Sequence, residues 1–213
     1  MSTPRSLLER YVEAKDQVRP HMMQTIYAAN AILTFSIATD KISFPNRVVG
    51  LDGITKTLIV DFGTRFSRCK TFYICDSTPQ QEGRIAILPW LVLMRESASS
   101  RLRIGKGYYK WTFEQQQGDG NMQVAAMHIH IERMDVIDDR DGKILHALQS
   151  ALPYPWLPPA ILLEQFEQLM RRTPSLEFLD IFKTPFQANP TTRRRDRAGK
   201  AATAQIGRPS AKN

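Results

Sequence analysis

Four long runs of strand-forming residues follow one another with no helical pattern between them, at 69–76, 84–96, 101–115 and 122–137. Their separators, STPQQEG, SASS and QQGDGN, are short and carry turn chemistry. The runs are therefore expected to pair as an antiparallel meander and not as βαβ units. Strands this long must curl around something to bury one face.

The residues before them supply the filling. Thr3 and Pro4 make a good helix start, a cap followed by proline where its missing N–H costs nothing, and Leu7, Leu8, Tyr11 and Val12 recur at helical spacing to about Gln17. Pro20 is expected to open a second helix through Met22, Met23, Ile26 and Tyr27. AILTFSI at 31–37 reads as a strand, and 41–49 as an extended stretch interrupted by Pro45. Asp52 is expected to cap a third helix whose buried stripe is Ile54, Leu58, Ile59, Phe62 and Phe66. After the meander, helices are expected at 143–150 and 159–172, joined by LPYPWLPP, too rich in proline for helix or central strand.

Helices first and a long meander after them make an α+β chain: a cone-shaped, strongly curved, mixed or antiparallel sheet wrapped around N-terminal helices. With 213 residues, 42% of them hydrophobic, one domain can bury its core without disulfides. The expected domain is 1–188, with 139–188 as a helical extension. The net charge of +8 is concentrated in the tail: 190–213 holds seven basic residues and one acid, which leaves +2 for everything before it. That tail, 189–213, is expected to be disordered, since it has almost no large apolar residues to offset the entropy of ordering. Cys69 and Cys75 lie six residues apart on one strand, about 20 Å at strand rise, and cannot pair with each other. The expected location is the cytoplasm, with no membrane span.

LLERYVEA in the first helix, YAANA before the first strand, FPNRVVGLDGI leading into the third helix, and then the four long strands resemble SnoaL-like proteins of the nuclear-transport-factor-two-like superfamily. The resemblance covers residues 5 to 138. It implies a cystatin-like half-barrel with an internal pocket, in a superfamily that holds ketosteroid isomerases, scytalone dehydratases, polyketide cyclases and non-catalytic members, so fold does not settle function. Tyr11 stands where ketosteroid isomerases have a hydroxyl donor to an oxyanion. Phe44, not an aspartate, precedes Pro45, and Asn30 stands where dehydratases and cyclases commonly have an acid. The first long strand, RCKTFYICD, lacks their histidine.

Read for themselves, the residues offer other candidates. In MHIHIERM, strand alternation puts His128, His130 and Glu132 on one face and Met127, Ile129 and Ile131 on the other. If the histidine face turns inward, His128 and His130 are acid–base candidates together with Tyr11; if it turns outward, it is a solvated sheet face or a dimer contact. In GKGYYKWTFE, Tyr109 and Trp111 share a face and suit either a core or a pocket for a flat ring. Tyr27, Asn30, Tyr73 and Arg95 complete the candidate ligand contacts, with Arg95 read either as half of an ion pair or as an anion clamp. The sequence has no P-loop, GxGxxG, HExxH, CxxC or GxSxG, so it implies no cofactor and no metal. The expected function is a pocket for a small apolar or aromatic molecule, with or without lyase, isomerase or cyclase chemistry. The alternative is a structural or interaction protein dimerising through its sheet. A homodimer is expected in either case, and nucleic acid is expected only through the tail.

Overall fold

The computed structural model describes residues 2–76, 81–115 and 120–186. Helix α1, Pro4–Asp16, starts as the sequence indicates: the Thr3 side chain accepts from the Ser6 amide, Ser6 returns the bond to the Thr3 amide, and Pro4 occupies the first turn. Its buried stripe is Leu7, Leu8, Tyr11, Val12, Ala14 and Lys15.

The expected second helix is a 3₁₀ segment, Pro20–Thr25, and Tyr27 already belongs to strand β1, Tyr27–Ile37. The Ile26 carbonyl is taken by the amide of Val124 and Tyr27 is paired with Val124 in the sheet, so sheet bonding replaces helical bonding here. After β2, Arg47–Val49, one continuous helical segment runs through α2, Leu51–Thr55, a π turn at Lys56–Val60 and α3, Asp61–Arg65. Phe66, expected to close that helical stripe, instead opens β3, Phe66–Ile74.

The strands that follow are β4, Gln81–Glu82, β5, Ile85–Glu96, β6, Leu102–Gln115, and β7, Met122–Ile137. With β8, Trp156–Leu157, they form one sheet in the order β2-β1-β7-β6-β5-β3-β8, and β4 lies beside β5. The meander β3-β5-β6-β7 is antiparallel as expected, while β1 joins β7 in parallel, which makes the sheet mixed. Helix α4, Lys143–Ala151, leads into β8, Trp156–Leu157, which pairs with Tyr73 and Ile74 of β3. The proline-rich strap is therefore an edge strand, where proline is tolerated. Helix α5, Pro159–Arg172, and a 3₁₀ segment, Pro174–Phe182, follow. The tail expected at 189–213 lies outside the described residues.

Two apolar cores sit on opposite faces of this sheet. On the inner face, Trp90, Val92, Tyr109, Trp111, Met127, Ile129 and Ile131 pack with α1 and with Ile54, Leu58, Ile59 and Phe62. On the outer face, Phe72, Ile74, Leu91, Leu93, Leu102 and Ile104 are covered by Leu145, Leu148, Leu162, Phe166, Leu176, Leu179 and Phe182 of the extension. Burial on both faces explains why β5 reads LPWLVLM without polar alternation. No described helix is long and apolar enough to cross a membrane.

Candidate functional site

The inner core is not fully closed. A cavity of about 40 Å³ remains between α1 and the concave sheet. Tyr11 and Lys15 of α1, Trp90, Val92 and Met94 of β5, Tyr109 of β6, and Ile129, Ile131 and Met134 of β7 form its walls. Leu58 and Phe62 close one side, and Phe35 with Ile42 and Phe44 from the β1–β2 loop close the mouth. The Phe35 and Phe44 rings stack there, 4.6 Å apart and nearly parallel. Gly107 makes this wall possible, since a Cβ at that position would collide with the His130 carbonyl and lie 2.9 Å from the Trp90 indole. Water needs roughly 10–15 Å³, so a cavity of about 40 Å³ takes occupants of water size and is well below the ~300 Å³ of ordinary ligand sites.

Polar atoms on this lining are few. The Tyr11 hydroxyl and the Trp90 indole N–H are buried without a hydrogen-bond partner. Tyr109 lies beside Tyr11, rings edge to face at 6.1 Å, close enough to favour the Tyr11 phenolate slightly, but no hydrogen bond of good geometry closes between them. Burial, with Lys15 opposing it, pushes Tyr11 well above the usual tyrosine range, so at neutral pH its hydroxyl is a donor and not a base. A buried donor left unpaired costs about 1–3 kcal/mol.

Lys15 is different, because all its donors are used. Its ammonium bonds Thr71 Oγ1 at 2.9 Å, Asp16 Oδ1 at 3.2 Å and Cys69 Sγ at 3.3 Å, and sits 4.3 Å from the centre of the Phe62 ring. Asp16 is saturated too: Oδ2 accepts from the Thr71 amide and the Tyr154 hydroxyl, and Oδ1 from Lys15 and the Thr71 hydroxyl. Desolvation pulls the Lys15 ammonium down, and the Cys69 and Asp16 charges more than reverse it, so its pKa is raised. Burial pushes the Cys69 thiol up to about 12, so at neutral pH Asp16 is the charge that holds Lys15 protonated. This closed ion pair fastens α1 to β3 and to the strap.

Of the residues singled out from the sequence, the structure brings Tyr11 and Tyr109 to the cavity. Tyr27, Tyr73 and Trp111 are buried beside it in the aromatic cluster, with the Tyr27 hydroxyl on Met127 Sδ and the Tyr73 hydroxyl on the Leu8 carbonyl. They are core residues and do not line the cavity. Asn30 is exposed, and Arg95 lies on the outer face. Sequence reasoning missed Lys15, Trp90, Met94, Phe35 and Phe44 as lining. Lys15 follows Leu8 and Tyr11 at helical spacing and was visible as a charge in an apolar stripe, but the loop residues carried no signal.

His128 and His130 are on the outer face, away from the cavity. Their partners across β1 are Thr34 and Ser36: Thr34 Oγ1 is 2.9 Å from His128 Nδ1, and Ser36 Oγ bridges His128 Nε2 at 2.9 Å and His130 Nδ1 at 2.7 Å. Tyr108 stacks on His130, with Phe186 against both rings. Burial lowers the pKa of both imidazoles; His130 and then Lys110 depress His128 further, while Glu132 partly opposes the shift at His130. One serine hydroxyl thus bridges the two imidazoles. Among the described residues no group of three histidine, cysteine, aspartate or glutamate side chains could hold a metal ion.

No family model and no curated protein matches this sequence. Solved structures do match. A hexachlorocyclohexane dehydrochlorinase, LinA-type3 from Novosphingobium barchaimii, aligns over 63% of this chain and 87% of its own at 12% identity, with a TM-score of 0.52. A LinA crystal structure aligns over 63% and 86% at 13% identity, TM-score 0.52. A nuclear transport factor 2-like superfamily protein from Salmonella enterica aligns over 62% and 87% at 12% identity, TM-score 0.48. Over the aligned part the chain shares the fold of these LinA dehydrochlorinase structures.

Proposed function

We propose that the chain is a binding protein for a small, neutral, largely apolar molecule that carries a hydrogen-bond acceptor such as a carbonyl oxygen. The observation that carries this is that Tyr11 and Trp90, two residues lining a largely apolar cavity, each keep a buried donor without a hydrogen-bond partner among the described residues. Neutrality follows from the closed Lys15–Asp16 pair: an anion entering the cavity would find the one cation already matched and hydrogen-bonded. Among the described residues the lining holds no histidine and no carboxylate, which supports binding over acid–base turnover. A ligand larger than water enters by displacing Ile42 and Phe44, which the β1–β2 loop carries over the mouth.

Acetophenone and ethylbenzene, alike in size and differing in the carbonyl, test this through tryptophan fluorescence. Saturable quenching by acetophenone is expected, weaker by about five- to tenfold for ethylbenzene and for acetophenone with Tyr11→Phe, the worth of one hydrogen bond. Phe44→Ala should strengthen both ligands. Absence of saturable quenching in the wild type and in Phe44→Ala would overturn the reading.

A further inference from the structure

A second site is built on the outer face, at the end of β3 and β5 that abuts the loop into α4. Between the pairs Ser67–Arg95 and Lys70–Leu93 the β3–β5 register shifts, and Arg68 in that interval has φ of +50°. A left-handed backbone at a residue with a Cβ is strained, and bulges of this kind re-aim a side chain. Here the bulge brings Arg68 beside Arg95. Arg95 Nη1 lies 2.6 Å, and Arg68 Nη1 3.0 Å, from the point where a Cβ would stand on Gly142. Gly142 itself has φ of +72° and leaves room for both guanidinium groups.

Among the described residues neither arginine has an ion pair. Arg95 donates to the Arg140 carbonyl oxygen, and among the described residues the Arg68 side chain has no hydrogen-bond partner. The acids nearby are committed: Asp139 accepts from the amides of Ile144 and Leu145, Asp141 pairs with Lys143, Asp138 with Arg140, and Glu96 with Arg101 and Arg103. The α4 N-terminus is thus already capped by Asp139 and adds nothing to the site. Two like charges held together by a strained backbone, with no carboxylate between them, repel unless an anion joins them.

We propose that Arg68 and Arg95 form a binding site for a doubly charged tetrahedral oxyanion, phosphate either free or as a monoester. Guanidinium groups present forked donors suited to phosphate oxygens, and two of them match two negative charges. The site lies on the face opposite the cavity and does not depend on the cavity reading.

Calorimetric titration of the full chain with inorganic phosphate and with phenyl phosphate, at about 0.15 M sodium chloride, tests it. Binding by wild type is expected to weaken by about tenfold or more in Arg68→Gln and in Arg95→Gln. Arg68→Gly separates binding from folding: glycine suits the left-handed position, so melting temperature should hold or rise while phosphate binding is lost. Equal affinity for the two probes assigns the site to the phosphate group itself, and tighter phenyl phosphate assigns it to a phosphorylated molecule. The basic residues of 190–213 are unaltered in these variants. No binding, or binding that survives both glutamine substitutions, would overturn the proposal.

Discussion

The two faces of the sheet are built from alternate residues of the same strands, yet they have different fates. The inner face is filled by helices that precede it in the chain and leave a small gap lined in part by residues with orphan donors. The outer face is divided: the extension seals its β3–β5 part into a second core, while the part over β1 and β7 keeps Thr34, Ser36, His128 and His130 half-buried. The same period-two alternation thus yields a core, a cavity wall or a polar surface according to what the rest of the chain lays over it.

The largest expected effect tests whether the outer core is as structural as the inner one. Phe166 is fully buried in α5 against the sheet, so Phe166→Ala should cost about 3–5 kcal/mol, read as the denaturant midpoint at unchanged slope. A cost under about 1 kcal/mol would make the extension an appendage. Gly107→Ala comes next, since the added methyl has to displace the His130 carbonyl or the Trp90 ring. A loss of about 1–3 kcal/mol is expected, with weaker acetophenone quenching because the cavity wall shifts.

Tyr11→Phe is expected to separate stability from binding. Removing a buried hydroxyl that has no partner should raise stability by about 1 kcal/mol while lowering acetophenone affinity. A drop in stability would show that the hydroxyl is already satisfied.

The smallest effect is on the histidine face. Both folded-state pKa values lie below the ordinary histidine range, so neutral imidazoles stabilise the fold fully above the unfolded value of about 6.5. That contribution is lost as pH falls from there through the folded values. Melting temperature should therefore decline on acidification below about pH 6.5, less steeply in His128→Gln. Identical curves for wild type and His128→Gln would remove the histidines from the pH dependence.

The sequence determined the strand count of the meander, its antiparallel pairing, helices α1 and α5, and the sharing of one face by His128 and His130, because these follow from local periodicity, caps and turn residues. It misread Tyr27 as helix and Phe66 as the end of one, since both sit where a helical and an extended apolar pattern overlap and only the sheet partner decides. It could not say which face of β7 turns inward, because alternation fixes relative orientation and nothing more; α1 packing on Met127, Ile129 and Ile131 decided that. The approach of Arg68 to Arg95, the closed Lys15–Asp16–Thr71 network and the loop residues over the cavity join positions far apart in the chain. Such encounters depend on a bulge, a strap and a register, and those exist only once the whole sheet has closed around its helices.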